Sequence, residues 1–257
     1  MPVRGVITLL WLILGLLLPQ WAAAASLADT IAVVKPSIVG VGTYLPTRQP
    51  RSYLKGTGFV VGDGSYAITN AHVVSDQLDI NHKERRVVFV GVGKNHKVVD
   101  VEVVRTNADH DLALLRLKGA KLPALQLSDS DRVREGEYYA FTGFPIGVVL
   151  GLYPVTHRGI VSSITPMAIP AFYSNQLNPK LIKRLRQPYS VFQLDATAYP
   201  GNSGSPLYRL NDGAVIGVIN KVFVKETKEN VLVNPSGITY AIPSKYILEL
   251  LDGAKPE

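Results

Sequence analysis

The chain has 257 residues, of which 47% are apolar and 18% are charged, and it contains no cysteine. This composition is typical of a folded globular protein, and it excludes disulfides, a cysteine nucleophile and metal sites built from cysteine. Lysine and arginine number 27 against 20 for aspartate and glutamate, which gives a net charge of +7. The length accommodates one large all-β domain or two smaller units that share an interface.

The first 25 residues are typical of a secretory signal peptide. Arg4 supplies a positive charge, an apolar run extends from Val6 to Leu18, and four alanines end at Ala25, after which we predict cleavage. The apolar run is shorter than the about 20 residues that a membrane-spanning helix needs. An uncleaved anchor or a buried helix is the alternative. We therefore expect a mature protein, residues 26–257, that is exported to the periplasm or secreted and has no stable membrane span.

The rest of the chain is predicted to form two sets of short strands separated by a polar stretch near 118–137. Apolar and β-branched runs recur between turn-forming residues, as in barrels and sandwiches. We predict an all-β fold of two antiparallel six-stranded β-barrels in tandem, the first over about 37–120 and the second over about 138–243. The predicted strands are 37–42, 57–61, 66–70, 86–92, 97–104, 112–117, 138–143, 158–164, 191–195, 206–209, 214–223 and 237–242.

Short helices are predicted at both ends of this unit. The first covers about 26–35 and ends at Pro36, because the residue before a proline avoids helical geometry. The second covers 244–252, with Ser244 as its N-cap and Gly253 as its stop.

A long segment, Met167–Pro188, interrupts the strand pattern and carries four basic residues within 180–186. Two interpretations are open. The segment is either a solvated basic loop, or a contact site for an acidic partner or anionic lipid.

Three motifs contain candidate catalytic residues. His72 lies at the end of a predicted strand, Asp111 stands at the start of an apolar run, and Ser203 lies between glycines in 201–206. Taken singly, a packing histidine, a turn aspartate and a Gly/Asn turn are adequate explanations.

Together, the three motifs indicate nucleophilic catalysis. A serine needs an adjacent base, and that base needs an orienting group. The glycines allow the N–H groups of Gly201 and Ser203 to face one point, as an oxyanion hole requires. The order His72, Asp111, Ser203 is a known triad order, and it divides the residues between the two predicted barrels. Asp109 is the alternative orienting acid.

These motifs resemble the trypsin-like (chymotrypsin-fold) serine proteases, and among them the HtrA/Deg-like branch. The resemblance covers roughly residues 27–252. It rests on TNAHVV around the histidine, DLALL from the aspartate, QLDATAYPGNSGSPL around the serine, GVIN at 217–220 and GITYAIP at 237–243. It implies that Ser203 attacks the scissile carbonyl, that His72 transfers the proton, and that Asp111 orients His72.

The resemblance also implies a specificity pocket. Thr197 would lie at its base, while Val218, Ile219 and Asn220 would form its wall and pair with the substrate backbone. Because no acidic residue occupies the Thr197 position, we expect cleavage after small or medium apolar residues.

Three departures from the family pattern bear on regulation. Asn202 replaces the aspartate that pairs with a new N-terminus in zymogen-activated relatives, so activation by clipping is not expected. Ser205 replaces the second glycine of the common GNSGG pattern. About five residues follow Asp252, so we expect no PDZ domain.

Two other classes of function are alternatives to a peptidase. A silent peptide-binding module on the same fold is the main alternative to an enzyme. A nucleic-acid binder is disfavoured, because the positive charge is dispersed and no binding motif is present. We expect polypeptide substrates, no cofactor and no metal, since the other histidines lack ligand spacing. These histidines are His82, His96, His110 and His157.

Overall fold

A computed structural model describes residues 26–146, 151–167, 189–220 and 238–253. The predicted signal peptide, the basic residues at 180–186 and the end of one predicted strand at 221–223 lie outside these residues. Within the described residues, no helix combines the length and apolar character that crossing a bilayer requires.

The described residues form twelve strands and two α-helices. Helix α1 covers Leu27–Val34 and helix α2 covers Lys245–Asp252. The first six strands are β1 Ile38–Tyr44, β2 Ser52–Val61, β3 Tyr66–Asn70, β4 Arg85–Val90, β5 Lys97–Asn107 and β6 Leu112–Leu117. The second six are β7 Tyr138–Gly143, β8 Val155–Pro166, β9 Ser190–Asp195, β10 Pro206–Arg209, β11 Val215–Asn220 and β12 Ile238–Pro243.

Each set of six strands closes into an antiparallel barrel. The strand order is β1-β2-β3-β6-β5-β4 in the first barrel and β7-β8-β9-β12-β11-β10 in the second. The two barrels therefore have the same topology. Pairing of β1 with β4 and of β7 with β10 closes the two barrels. The predicted fold class, two six-stranded barrels with short terminal helices, is confirmed.

Several strands extend beyond their apolar runs. Strand β2 begins at Ser52, five residues before the predicted start, because its polar end pairs with β1 through Tyr44 and Ser52. Backbone hydrogen bonds to a neighbouring strand sustain such an extension without burial of the side chains. Hydrophobic periodicity therefore underestimates the length of these strands.

The helix ends differ from each other in how they are capped. Ser26 caps α1 and forms a capping box with Asp29, and the helix ends two residues before Pro36. Ser244 is the N-cap residue of α2, as predicted, but its side chain makes no capping hydrogen bond in the described residues. Its hydroxyl donates to the carbonyl of Ser128 at 2.6 Å and so ties the helix start to the second barrel.

One apolar core crosses the boundary between the barrels. The first barrel contributes side chains from β1, β2, β3 and β6, and the second contributes side chains from β7, β10, β11 and β12, with helix α2 packed against both. Its buried residues include Phe59, Ile68, Leu112, Leu114, Phe144, Tyr208, Val218, Ile242, Ile247 and Leu250. The barrels therefore share apolar packing and form one structural unit.

His157 on β8 is a half-buried histidine inside the second barrel. Its ring stacks on Phe141 with centroids 4.9 Å apart, and its Nε2 is a buried atom without a hydrogen-bond partner. Burial lowers the pKa of His157 below the ordinary histidine value. The folded state therefore favours the neutral ring.

We expect this histidine to make folding sensitive to acid. Below about pH 6.5 the unfolded chain binds a proton that the folded chain resists. The free energy of unfolding should consequently fall as the pH drops from about 6.5 to the lower pKa of the folded state, and then level off. Denaturant unfolding between pH 8 and pH 5 should show this slope reduced in His157→Phe. Equal slopes in the two proteins would contradict the prediction.

Candidate active site

His72 and Asp111 come together because β3 pairs with β6. Asn70 pairs with Leu112, so the residues that follow β3 lie beside those that precede β6. The Nδ1 of His72 lies 2.6 Å from Oδ2 of Asp111, and the His72 backbone N–H donates to Oδ1 at 2.9 Å. Both carboxylate oxygens therefore hold the same histidine.

The backbone of Asp111 has the left-handed conformation, with φ at 51°. Aspartate is among the residues that tolerate this region. The Asp111 carbonyl accepts hydrogen bonds from the Ala71 N–H and the Asn70 side-chain amide, both at 3.1 Å. These bonds fix the Asp111 turn against the segment that carries His72.

Asn220 extends this arrangement to the second barrel. Its buried Nδ2 donates to Oδ2 of Asp111 at 3.0 Å. Three donors thus converge on the Asp111 carboxylate, two from His72 and one from Asn220. The sequence interpretation placed Asn220 on a pocket wall and missed this contact, because the two residues are 109 positions apart.

Asp109, the alternative acid, lies in the turn that precedes Asp111. Its backbone N–H donates to Oδ1 of Asn107, as does that of His110. The His110 ring then stacks on Tyr246 of α2, with centroids 3.8 Å apart, and meets the edge of Tyr189 at 4.7 Å. An aromatic cluster therefore backs the turn from which Asp111 reaches His72.

The turn around Ser203 depends on two glycines with positive φ. Gly201 has φ at 99°, and a Cβ there would overlap the Phe144 carbonyl oxygen. Gly204 has φ at 88°, and a Cβ there would overlap the Thr57 carbonyl oxygen. Any other residue at these positions would combine an unfavourable backbone conformation with a steric clash.

Two N–H groups of this turn stand out. Those of Asn202, Gly204 and Ser205 donate to backbone carbonyls, whereas those of Gly201 and Ser203 donate to no acceptor in the described residues. An oxyanion site requires such available N–H donors, on the serine itself and close to it.

Ser205, which replaces a glycine of the family pattern, is fully buried. A Cβ on Gly143 would overlap its hydroxyl oxygen. The larger residue at 205 is therefore accommodated by the absence of a side chain at 143.

The Ser203 segment lies beside the His72 segment, with Gly56 between them. A Cβ on Gly56 would lie 2.8 Å from Cγ2 of Val73 and 2.9 Å from the Ser203 carbonyl oxygen. Both His72 and Ser203 belong to the described residues, and no hydrogen bond joins them. Hydrogen bonds between a nucleophile and its base are often long or poorly aligned without substrate.

The segment around Thr197 is held by a threonine that sequence reasoning missed. The Thr239 hydroxyl, on β12, donates to the Ala196 carbonyl at 2.6 Å and accepts from the Ala198 N–H at 2.9 Å. Thr197 itself is half-buried. The sequence signal for such a contact was a threonine within an otherwise apolar predicted strand, because a hydroxyl buried there needs a hydrogen-bond partner.

Val218 and Ile219, which were predicted to form the wall of the specificity pocket, lie in apolar cores. Both side chains are fully buried, one in the core shared by the barrels and the other in the core of the second barrel. The Ile219 N–H and carbonyl already pair with Ser205 and Gly204. Strand β11 lies between β10 and β12, and all of its residues are buried. The pocket role of Val218 and Ile219 stays a prediction.

Other histidines make local contacts. His82 pairs with Asp79, with Nδ1 and Oδ2 2.7 Å apart, and the His96 Nδ1 lies 2.9 Å from the Gly93 carbonyl. Across the described ranges, no three histidine, aspartate or glutamate side chains are grouped as a metal site would require.

Comparisons with known proteins identify the family of the chain. Residues 56–218 match the model of the trypsin-like peptidase domain. The chain belongs to this family, as its motifs imply. A probable periplasmic serine endoprotease of the DegP-like type from a Marinomonas species is 30% identical over 216 residues, which are 84% of this chain and 39% of that protein. A relative with the same description from Chlamydia trachomatis is 30% identical over 204 residues, or 79% of this chain and 34% of that protein.

Solved structures give the same assignment of fold. The HtrA-type protease AlgW with a tripeptide superimposes with a TM-score of 0.63 at 25% identity, covering 89% of this chain and 63% of that one. AlgW with a decapeptide, at 22% identity, has a TM-score of 0.64 over 90% of this chain and 67% of that one. The predicted resemblance to the HtrA/Deg-like branch is confirmed, and the chain spans about two fifths of the length of the curated relatives described above.

The geometry of the Ser203 turn predicts that a side chain at Gly204 destabilises the protein. Gly136 offers a matched control, because its φ is also 88° but a Cβ there would meet nothing within 4 Å. We expect Gly136→Ala to lower the free energy of unfolding by about 1 kcal/mol from backbone strain alone. Gly204→Ala should cost several times as much, because the new methyl group also overlaps the Thr57 carbonyl. Denaturant unfolding of both variants measures the difference, and equal losses would refute the steric argument.

Proposed function

We propose that this protein is an exported serine endopeptidase that uses Ser203, His72 and Asp111 to hydrolyse peptide bonds. One observation carries the proposal. The His72–Asp111 pair of the first barrel lies beside the Ser203 turn of the second, where two N–H groups have no acceptor among the described residues. Membership of the trypsin-like peptidase family supports the same chemistry.

The proposed reaction begins with attack of the Ser203 hydroxyl oxygen on the scissile carbonyl carbon. His72 accepts the serine proton at Nε2, since Nδ1 faces Asp111. The carbonyl oxygen becomes negative and receives hydrogen bonds from the N–H groups of Gly201 and Ser203. Asp111 keeps the imidazole oriented and stabilises its charged form.

The intermediate then collapses. The carbon–nitrogen bond breaks, and His72 returns its proton to the leaving amine, which leaves an ester on Ser203. Water attacks this ester, with His72 again as the base, and the acid product departs when Ser203 regains its proton.

Export is the second part of the proposal. It rests on the signal-like sequence of residues 1–25 and on the relatives described as periplasmic. A peptidase acting in that compartment would take polypeptides as its substrates.

A silent binding module on the protease fold is the alternative function. The absence of a hydrogen bond between His72 and Ser203, both within the described residues, is the observation that favours it. Covalent labelling separates the two functions, because a fluorophosphonate probe reacts only with an activated serine.

We expect a fluorophosphonate to label the mature protein, residues 26–257, and to fail with Ser203→Ala. Asp111→Asn should lower kcat by about 10⁴-fold, the loss typical of a triad aspartate, because the imidazole loses its orienting carboxylate. Asp109→Asn is the matched control and should retain activity. Absence of labelling in the wild-type protein under all conditions would favour the silent module, and a large loss in Asp109→Asn alone would reassign the acid.

For specificity, we propose cleavage after small or medium apolar residues. Thr197 would lie at the base of the pocket, and its alanine neighbours, held by Thr239, are small and uncharged. Profiling with a peptide library should give alanine, valine, leucine or similar residues before the scissile bond. Cleavage clustered after lysine or arginine would refute this assignment.

A further inference from the structure

Thr57 connects the first barrel to the Ser203 turn. It lies on β2 and is fully buried. Its backbone N–H donates to the Ser203 carbonyl at 2.8 Å, and its hydroxyl donates to the Gly201 carbonyl at 2.7 Å. One residue of the first barrel therefore holds the carbonyls of both residues that would donate to the oxyanion.

The Thr57 hydroxyl makes a second contact. The Phe144 N–H donates to it at 3.0 Å, so the hydroxyl acts as a donor and as an acceptor at the same time. Thr57 is itself fixed, because its carbonyl accepts from the Thr69 hydroxyl at 2.7 Å. A single side chain thus joins β2, the end of β7 and the Ser203 turn.

Gly201 needs such external restraint. A glycine has no side chain to restrict its backbone, and its φ of 99° is one of many values that it could adopt. The peptide before Gly201 is held where the Ile146 N–H donates to the Pro200 carbonyl at 2.7 Å. The peptide after Gly201 is held by the Thr57 hydroxyl. Because peptide groups are planar, the bond to the Pro200 carbonyl fixes the direction of the Gly201 N–H. The Thr57 bond fixes the next peptide and so restricts the rotation about Gly201 that sets the Ser203 N–H relative to the Gly201 N–H.

We propose that the Thr57 hydroxyl is a positioning group that preorganises the Gly201 and Ser203 N–H donors for the oxyanion. This inference rests on the proposed peptidase function. Thr57 does not touch the substrate and acts only through the backbone of the Ser203 turn. Its removal should therefore affect the transition state, where charge develops on the oxygen, more than substrate binding.

The test uses two substitutions at Thr57, of which only one removes the hydroxyl. Thr57→Val keeps the volume and removes the hydroxyl, whereas Thr57→Ser keeps the hydroxyl. We expect Thr57→Val to lower kcat about 10- to 100-fold with little change in KM, as small misplacements of catalytic groups do. Thr57→Ser should restore most of the lost kcat. Either a wild-type kcat in folded Thr57→Val or a Thr57→Ser as impaired as Thr57→Val would overturn the proposal.

Thr142→Val is the matched control for loss of a buried hydroxyl. The Thr142 hydroxyl bonds the hydroxyls of Tyr208 and Thr156, at 2.7 and 2.9 Å. Thr142 and the Ser203 turn both belong to the described residues, and no hydrogen bond joins them. This variant should lose stability while keeping its kcat. An equal loss of kcat in Thr142→Val would overturn the proposal, because the effect would then be general to the barrel.

Amide hydrogen exchange gives a readout that does not depend on activity. The N–H groups of Asn202, Gly204 and Ser205 are hydrogen-bonded to the carbonyls of Tyr199, Ile219 and Asn202, and they should exchange faster in Thr57→Val but not in Thr142→Val. If Thr57→Val does not fold, Thr57→Ala takes its place in both measurements. A wild-type protein without hydrolysis or labelling would refute the proposed function, whereas unchanged exchange in the Thr57 variant would refute the positioning role.

Discussion

The apolar core shared by the two barrels is the constraint on which the candidate site depends. Neither barrel contains all of the proposed catalytic residues. His72 and Asp111 belong to the first barrel, and Ser203 belongs to the second. Side chains such as Phe59 and Tyr208 pack into one core and keep the barrels together. A loss of packing there would move the nucleophile relative to its base, even though the site residues themselves were unchanged.

Polar contacts across the same boundary add the precision that apolar packing does not supply. Hydrophobic burial has no preferred direction, whereas a hydrogen bond requires a narrow range of distance and angle. Asn220 reaches the Asp111 carboxylate from the second barrel, and Thr57 reaches the Ser203 turn from the first. Each barrel thus orients the part of the site that the other provides.

Much of the fold and site could be predicted, but the contacts could not. Short local motifs contain His72, Asp111 and Ser203. The strands between these motifs are visible in the sequence as hydrophobic runs. The pocket role of Val218 and Ile219 stays a prediction, because aliphatic residues occur both in pocket walls and in cores. Thr57 gave no signal at all, since its importance comes from carbonyl groups about 145 residues away.

The sequence by itself determined the class of fold, the family and the identity of the three proposed catalytic residues, because these depend on local pattern and residue type. The tertiary structure decided that the Asp111 carboxylate contacts His72, and that the Asn220 side chain donates a hydrogen bond to this carboxylate. It also decided which N–H groups near Ser203 have no acceptor in the described part of the chain. These outcomes depend on register and backbone direction, which are set only when distant strands pair and the barrels pack together.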